Sequence, residues 1–213
     1  RLSLVGSEMC IRDRYAAVYA CSDKGEKSIV SIIGTGSNCT YFDGEKIIQK
    51  VTSLGYILMD DASGNYFGRQ LIRDYFFEKM PSSVSKEFYR KYRLDASEVK
   101  DRLYKQPNPN TYLAKFAKFI IENKDLNYCN KLITKGFNLF VKNQIEQFDD
   151  CKQIPLHFVG SIGFYLKDEL EKVLKKNDLK LGKVLKRPIE GLVNYHLKNC
   201  LLYTSPSPRD WDE

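Results

Sequence analysis

The chain has 213 residues, with 34 Lys and Arg against 27 Asp and Glu and a formal net charge of +7 at pH 7. Its basic residues (among them Lys91, Lys100, Lys105, Lys115, Lys118, Lys131 and Lys135) interleave with Asp and Glu, form no polybasic block and read as a solvated surface, against nucleic-acid binding. No apolar run approaches the roughly 20 residues of a membrane helix, no signal peptide is visible, and no cysteine pair has metal-ligand spacing, so we expect a cytoplasmic protein without membrane contact.

Residues Arg1–Arg14 (RLSLVGSEMCIRDR) and Cys200–Asp210 (CLLYTSPSPRD) carry neither a helical nor a strand period. Both resemble translated sequencing-adapter read-through; ordinary disordered tails are the alternative. We expect artefactual tails over 1–14 and 200–213, around one lobe over 15–199 whose start is missing. Four cysteines then remain, Cys21, Cys39, Cys129 and Cys151, in keeping with a reducing compartment.

A short helix is expected over Ala16–Cys21. The β-branched run Ile29, Val30, Ile32, Ile33 predicts a strand that ends in Gly34-Thr35-Gly36-Ser37-Asn38. Cys39–Phe42, then Asp43-Gly44, then Glu45–Val51 read as a hairpin with an Asp-Gly turn. Ser53–Met59 reads as a third extended piece, and Asp60-Asp61-Ala62-Ser63-Gly64 as the entrance of a helix carrying Tyr66, Phe67, Gln70, Leu71, Tyr75 and Phe76. Pro81 stops that helix, and Lys86–Tyr92 and Ala96–Tyr104 follow as short helices.

Beyond the break at Pro107–Asn110, the apolar stripes Tyr112, Phe116, Phe119, Ile120 and Leu132, Phe137, Phe140, Val141, Ile145 predict core helices. Pro155–Val159 predicts a buried strand, Phe164–Leu174 a helix, Leu179–Leu185 a last strand, and Pro188 the first residue of a closing helix through Leu197. A β-meander, a helical insert, then β-α-β-α is a mixed α/β order.

Glycine lets backbone N–H groups approach an anion and hydroxyls add donors, so Gly34–Ser37 suits a phosphate cradle, with a plain tight turn as the alternative. The loop opens a strand rather than a helix, which excludes the dinucleotide fingerprint and the P-loop. A second glycine loop, Gly160-Ser161, follows the later buried strand. Asp60 and Asp61 are the best candidates for orienting a hydroxyl in phosphoryl transfer, with helix capping as the alternative. His157 and His196 lack metal or triad spacing, His157 reading as a hydrogen-bonded core residue. Ser63 lacks the flanks of a nucleophile elbow.

Taken together, Ile33–Cys39, Gly55–Gly64 and His157–Ser161 resemble the N-acetylglucosamine kinase branch of the BadF/BadG-type ATPases, in the actin-like sugar-kinase superfamily. The resemblance covers nearly all of Tyr15–Leu197. It implies a ribonuclease-H-like (actin-like ATPase) lobe, the C-terminal of two, with the N-terminal lobe missing. It implies ATP and Mg²⁺ as cofactors, an amino sugar as substrate, and a possible homodimer of the full-length protein. It carries Gly34, Thr35, Gly36 and Ser37 over as the phosphate loop, Asn38, Gly55 and Asp60 as sugar-binding residues, and Gly160 and Ser161 as the loop beside adenosine.

Catalytic and metal-binding residues stay unassigned: Asp13 falls near the register of the family's catalytic aspartate but within the adapter-like segment. Met59 and Ala62 stand where the family usually has glycines, and no Asp-Gly-Gly-Gly-Thr-type first phosphate loop occurs. The chain alone is therefore expected to be inactive and to show a bare apolar face. A reductase-activating ATPase with an iron–sulfur cluster, and a non-catalytic sugar or nucleotide module, are the other readings.

Overall fold

The structure, a computed structural model, describes residues 13–200, with side chains through 197. The expected tails lie outside the described residues except at Asp13, Arg14 and residue 200, which belong to helices. Helix α1 covers 13–21, a turn earlier than expected. A five-stranded sheet follows in the spatial order β3-β2-β1-β4-β5. Strands β1 (Ser28–Ile33) and β2 (Ser37–Phe42) form an antiparallel hairpin with Ile33 opposite Ser37, and β3 (Ile47–Ile48) extends it. Strands β4 (Leu156–Val159) and β5 (Leu181–Leu185) add in parallel, with Ile29 opposite Leu156. This mixed sheet flanked by helices is the α/β architecture the element order predicts.

Because side chains alternate along a strand, β1 feeds two cores. Val30 joins Ala17, Val18, Ala20 and Cys21 of α1, with Phe42 and Val159. Ile29 and Ile33 join the larger core, filled by the helical segment between β3 and β4. That segment comprises α2 (Gly64–Phe76), α3 (Ser82–Tyr92), α4 (Ala96–Tyr104), α5 (Pro109–Ala114), α6 (Ala117–Glu122) and α7 (Asn127–Phe140), which runs into a π-helical turn, Val141–Ile145. Phe67, Phe88, Phe116, Phe119, Phe137 and Phe140 are fully buried there, each contributing about 1.5–3 kcal/mol. Helices α8 (Ser161–Tyr165) and α9 (Lys167–Lys176) lead from β4 to β5, and α10 (Pro188–Cys200) closes the fold.

Several boundaries differ from expectation. Ser53–Met59 is a loop rather than a strand. Its carbonyls are taken by a helix: Arg69 Nη1 of α2 donates to Tyr56 O at 3.3 Å and Ile57 O at 2.8 Å, while Met59 N–H turns back to Gly55 O at 2.9 Å. Strand β3 shrinks to two residues. Helix α3 starts at Ser82 because Pro81, at φ −54°, leads into it rather than only ending α2. The single helix expected over Phe164–Leu174 is two, broken at Leu166. Helix α4 has its expected bounds, with Asp95 accepting from the N–H groups of Ser97 and Glu98 at 2.9 and 3.0 Å.

Helix α10 crosses α1 closely at Gly191, where a Cβ would stand 2.2 Å from Ala20 O. Ile189, Val193 and Leu197, spaced four apart on α10, are each more than half exposed. No helix among the described residues is long and apolar enough to cross a membrane.

Candidate active site

The loop between β1 and β2 is three residues, Gly34, Thr35 and Gly36, closed by Gly34 N–H to Gly36 O at 2.9 Å. Its carbonyls point at the start of α2. Gly64 N–H donates to Gly34 O at 2.8 Å and Asn65 N–H to Thr35 O at 3.0 Å. The first donors of a helix normally lack partners; here the loop supplies them. Ser63 caps the same end, its Oγ accepting from Tyr66 N–H at 3.1 Å. Ser37 Oγ donates to Asp61 O at 2.7 Å. The hairpin loop and the helix entrance are thus one stitched unit, and the α2 terminus is already satisfied rather than open to an anion.

Asp60 sits inside this unit, buried, in the left-handed region at φ 65°. Its carboxylate accepts from Ser37 N–H, and Asn65 Nδ2 lies 3.5 Å from Oδ2. Burial raises its pKa above the ordinary carboxylate range, with Asp61 adding to the rise; the two hydrogen bonds and Arg69 oppose it. Asp60 does not end a strand, as the sequence suggests; it stands in the turn before α2. Gly36 makes room for it, since a Cβ there would lie 2.6 Å from Asp60 Oδ2. Gly36→Ala should cost about 1–3 kcal/mol and displace Asp60. A lowered denaturation midpoint together with a shifted Asp60 carboxyl resonance would show this; an unchanged carboxyl signal would refute the contact.

The two departures from glycine have different consequences. Met59 is not among the residues with positive φ, so its backbone needs no glycine, whereas buried Ala62 is left-handed at φ 59°. That costs of the order of 1–2 kcal/mol relative to an unstrained residue.

A cleft of about 330 Å³ opens at the end of β1. Gly34, Thr35, Gly36, Ser37, Asn38, Gly55 and Asp60 all line it, together with Ile32 and Ser53. Asp13 and Arg14, at the head of α1, line it as well, so Asp13 borders the same space as Asp60. Gly160 and Ser161 lie outside this lining. Gly160 nevertheless abuts the loop: a Cβ would stand 2.4 Å from Ile33 O and 3.2 Å from Gly34 N, and its N–H donates to Leu185 O at 2.9 Å. Ser161 is exposed at the head of α8.

Asp61 does not line the cleft. Asn143 Nδ2, from the π-helical turn, donates to Asp61 Oδ2 at 2.8 Å. The sequence carries no signal for Asn143, although a π-turn often marks a functional region. His157 is a core residue, its Nδ1 accepting from Lys183 N–H at 2.8 Å. All four central cysteines are free and buried, and burial pushes the Cys21, Cys39 and Cys129 thiols up to about 12. Among the described residues no three or more His, Cys, Asp or Glu gather to hold a metal.

No family model and no curated protein match the chain. Among solved structures it is similar to the putative N-acetylglucosamine kinases of Porphyromonas gingivalis and Chromobacterium violaceum. The first shares 36% identity at a TM-score of 0.82 over 87% of this chain. The second shares 17% identity at 0.66 over 86%, a likeness of fold alone. A ROK family glucokinase from Streptomyces griseus, solved with glucose and AMPPNP, aligns more distantly, at 14% identity and 0.46. This chain spans 65% and 64% of the lengths of the first two. In sequence over most of its length the chain is similar to the P. gingivalis protein, and its architecture is the actin-like ATPase fold of these sugar kinases.

Proposed function

We propose that this chain is the C-terminal lobe of a cytoplasmic, ATP-dependent amino-sugar kinase that transfers a phosphoryl group from Mg-ATP to a hydroxyl of an N-acetylglucosamine-type sugar. The observation that carries this reading is the convergence of Gly34–Ser37, Asn38, Gly55 and Asp60 on one cleft. Catalysis of this kind is mostly positioning and charge stabilisation. The Gly34–Ser37 loop turns carbonyls inward onto α2 and commits Gly34 N–H and the Ser37 hydroxyl internally, so Thr35 and Gly36 would supply its donors to phosphate oxygens. Asp60 and Asn38 orient the acceptor, and Gly160 and Ser161 border the adenosine. ATP supplies the phosphoryl group, and Mg²⁺ neutralises its charge when bound. Mg²⁺ commonly takes one or two carboxylates with phosphate oxygens, and Asp13, at the head of α1, would supply one.

The sequence holds one glycine–hydroxyl phosphate loop where a two-lobed cleft uses two, so the chain alone should bind but not turn over. Titration of the 213-residue chain with N-acetylglucosamine and with Mg-ATP, followed by amide NMR, should perturb residues 34–38, 55 and 60, and a coupled assay should register no sugar phosphate. Absence of any perturbation at millimolar ligand would overturn the binding reading; measurable phosphorylation would overturn the inactivity. Ala62 in a left-handed position favours a second reading, the same lobe as a non-catalytic sugar module. The buried, dispersed cysteines speak against a cluster-activating ATPase.

A further inference from the structure

Asn65, the second residue of α2, is 2% exposed and makes an unusual set of contacts. Its backbone N–H holds Thr35 O, its Nδ2 faces Asp60 Oδ2, and its Oδ1 is buried with no partner. An unpaired buried carbonyl oxygen costs about 1–3 kcal/mol, a cost that an aliphatic side chain in the same place would avoid. What partner the amide does have lies at its other end, and that end faces Asp60.

Asp60 needs such a partner. Its backbone is left-handed without being glycine, a conformation that persists only where the surroundings over-determine it. Ser63 N–H holds its carbonyl at 3.2 Å, Ser37 N–H holds its carboxylate, and Gly36 leaves the slot that Oδ2 occupies. These contacts place the residue, but Asn65 is the one side-chain donor to the carboxylate among the described residues. At 3.5 Å its bond is at the outer limit of hydrogen-bond length, so it directs the carboxylate rather than neutralising it.

We propose that Asn65 is a positioning residue: its amide, anchored through the backbone to the glycine loop, sets the direction in which Asp60 presents its carboxylate to the cleft. The consequence for sugar binding rests on the reading that Asp60 meets the acceptor. The charged groups around Asp60 are Asp61 and Arg69, with Asp13 and Arg14 lining the same cleft.

The test follows the Asp60 carboxyl carbon by NMR through a pH titration of the full chain, in the wild type and in Asn65→Leu, with N-acetylglucosamine affinity measured on the same samples. Loss of the amide should raise the Asp60 midpoint and weaken sugar binding about tenfold, the equivalent of one hydrogen bond. A folded Asn65→Leu with the wild-type midpoint overturns the proposal. A raised midpoint with no sugar binding in either protein upholds the positioning role and overturns the acceptor reading. Should Asn65→Leu fail to fold, Asn65→Ser, which keeps the α2 backbone but cannot reach Asp60, gives the same two readouts.

Discussion

Gly160→Ala should lower the folding stability of the chain by about 3 kcal/mol or more. Two costs combine. At φ 125° and ψ 160° the residue occupies a region open essentially to glycine alone, and the added Cβ would meet the backbone oxygen of Ile33 at 2.4 Å. Neither partner can yield cheaply, because Ile33 is fixed in β1 between β2 and β4 and Gly160 N–H is committed to Leu185 O. Gly163→Ala, three residues on, has the opposite sign. Its nearest neighbour would be Phe158 Cβ at 3.5 Å, ordinary contact, and its φ is not left-handed. Inside α8 it should gain about 0.5–1 kcal/mol from lost chain entropy. Urea denaturation of the two variants checks both; similar midpoints would show that Gly160 is replaceable. The glycine at Gly160 is thus explained first by the seam between β1 and β4, whatever it touches in a complex.

Stability should also fall as pH drops from about 6.5 to about 4, by about 3 kcal/mol from His157 alone. Burial, with the Lys183 cation assisting and Asp23 opposing, pushes the pKa of His157 down to about 4. Its Nδ1 must stay unprotonated to accept from Lys183 N–H. Between the two values the unfolded chain binds the proton and the folded chain does not, so acid favours unfolding. The effect is fully developed below about 4 and absent above about 6.5. Asp60, with its raised pKa, works in the other direction. His157→Gln isolates the imidazole, since it can still accept from Lys183 N–H but does not titrate. Denaturation profiles of the two proteins should converge as the pH falls; a constant difference from pH 4 to 7 would refute the account.

Much of this was legible from local pattern. The β-branched run predicts β1, the Asp-Gly turn joins β2 to β3, Pro188 marks a helix start, and the aromatic stripes at Phe116–Ile120 and Phe137–Ile145 fall in the core. Such signals act between near neighbours in the chain. What escaped depends on distant partners. Ser53–Met59 looks extended, but Arg69 captures the carbonyls that a strand would have paired. Asp60 and Asp61 look equivalent, and only Asn143 on one side and Gly36 on the other separate them. Asp13 could be placed only once α1 was seen to form a wall of the cleft.

The parallel pairing of β1 with β4 also sets an order of events in folding. The hairpin of β1 and β2 closes over a three-residue loop and can form from local sequence. Gly160 reaches Ile33 only after the whole helical segment has been gathered between them, a closure whose entropy falls due before its contacts form. The two glycine loops therefore meet late. A ligand that needs both would bind the finished fold and none of its precursors, and would hold the chain in its native state by mass action.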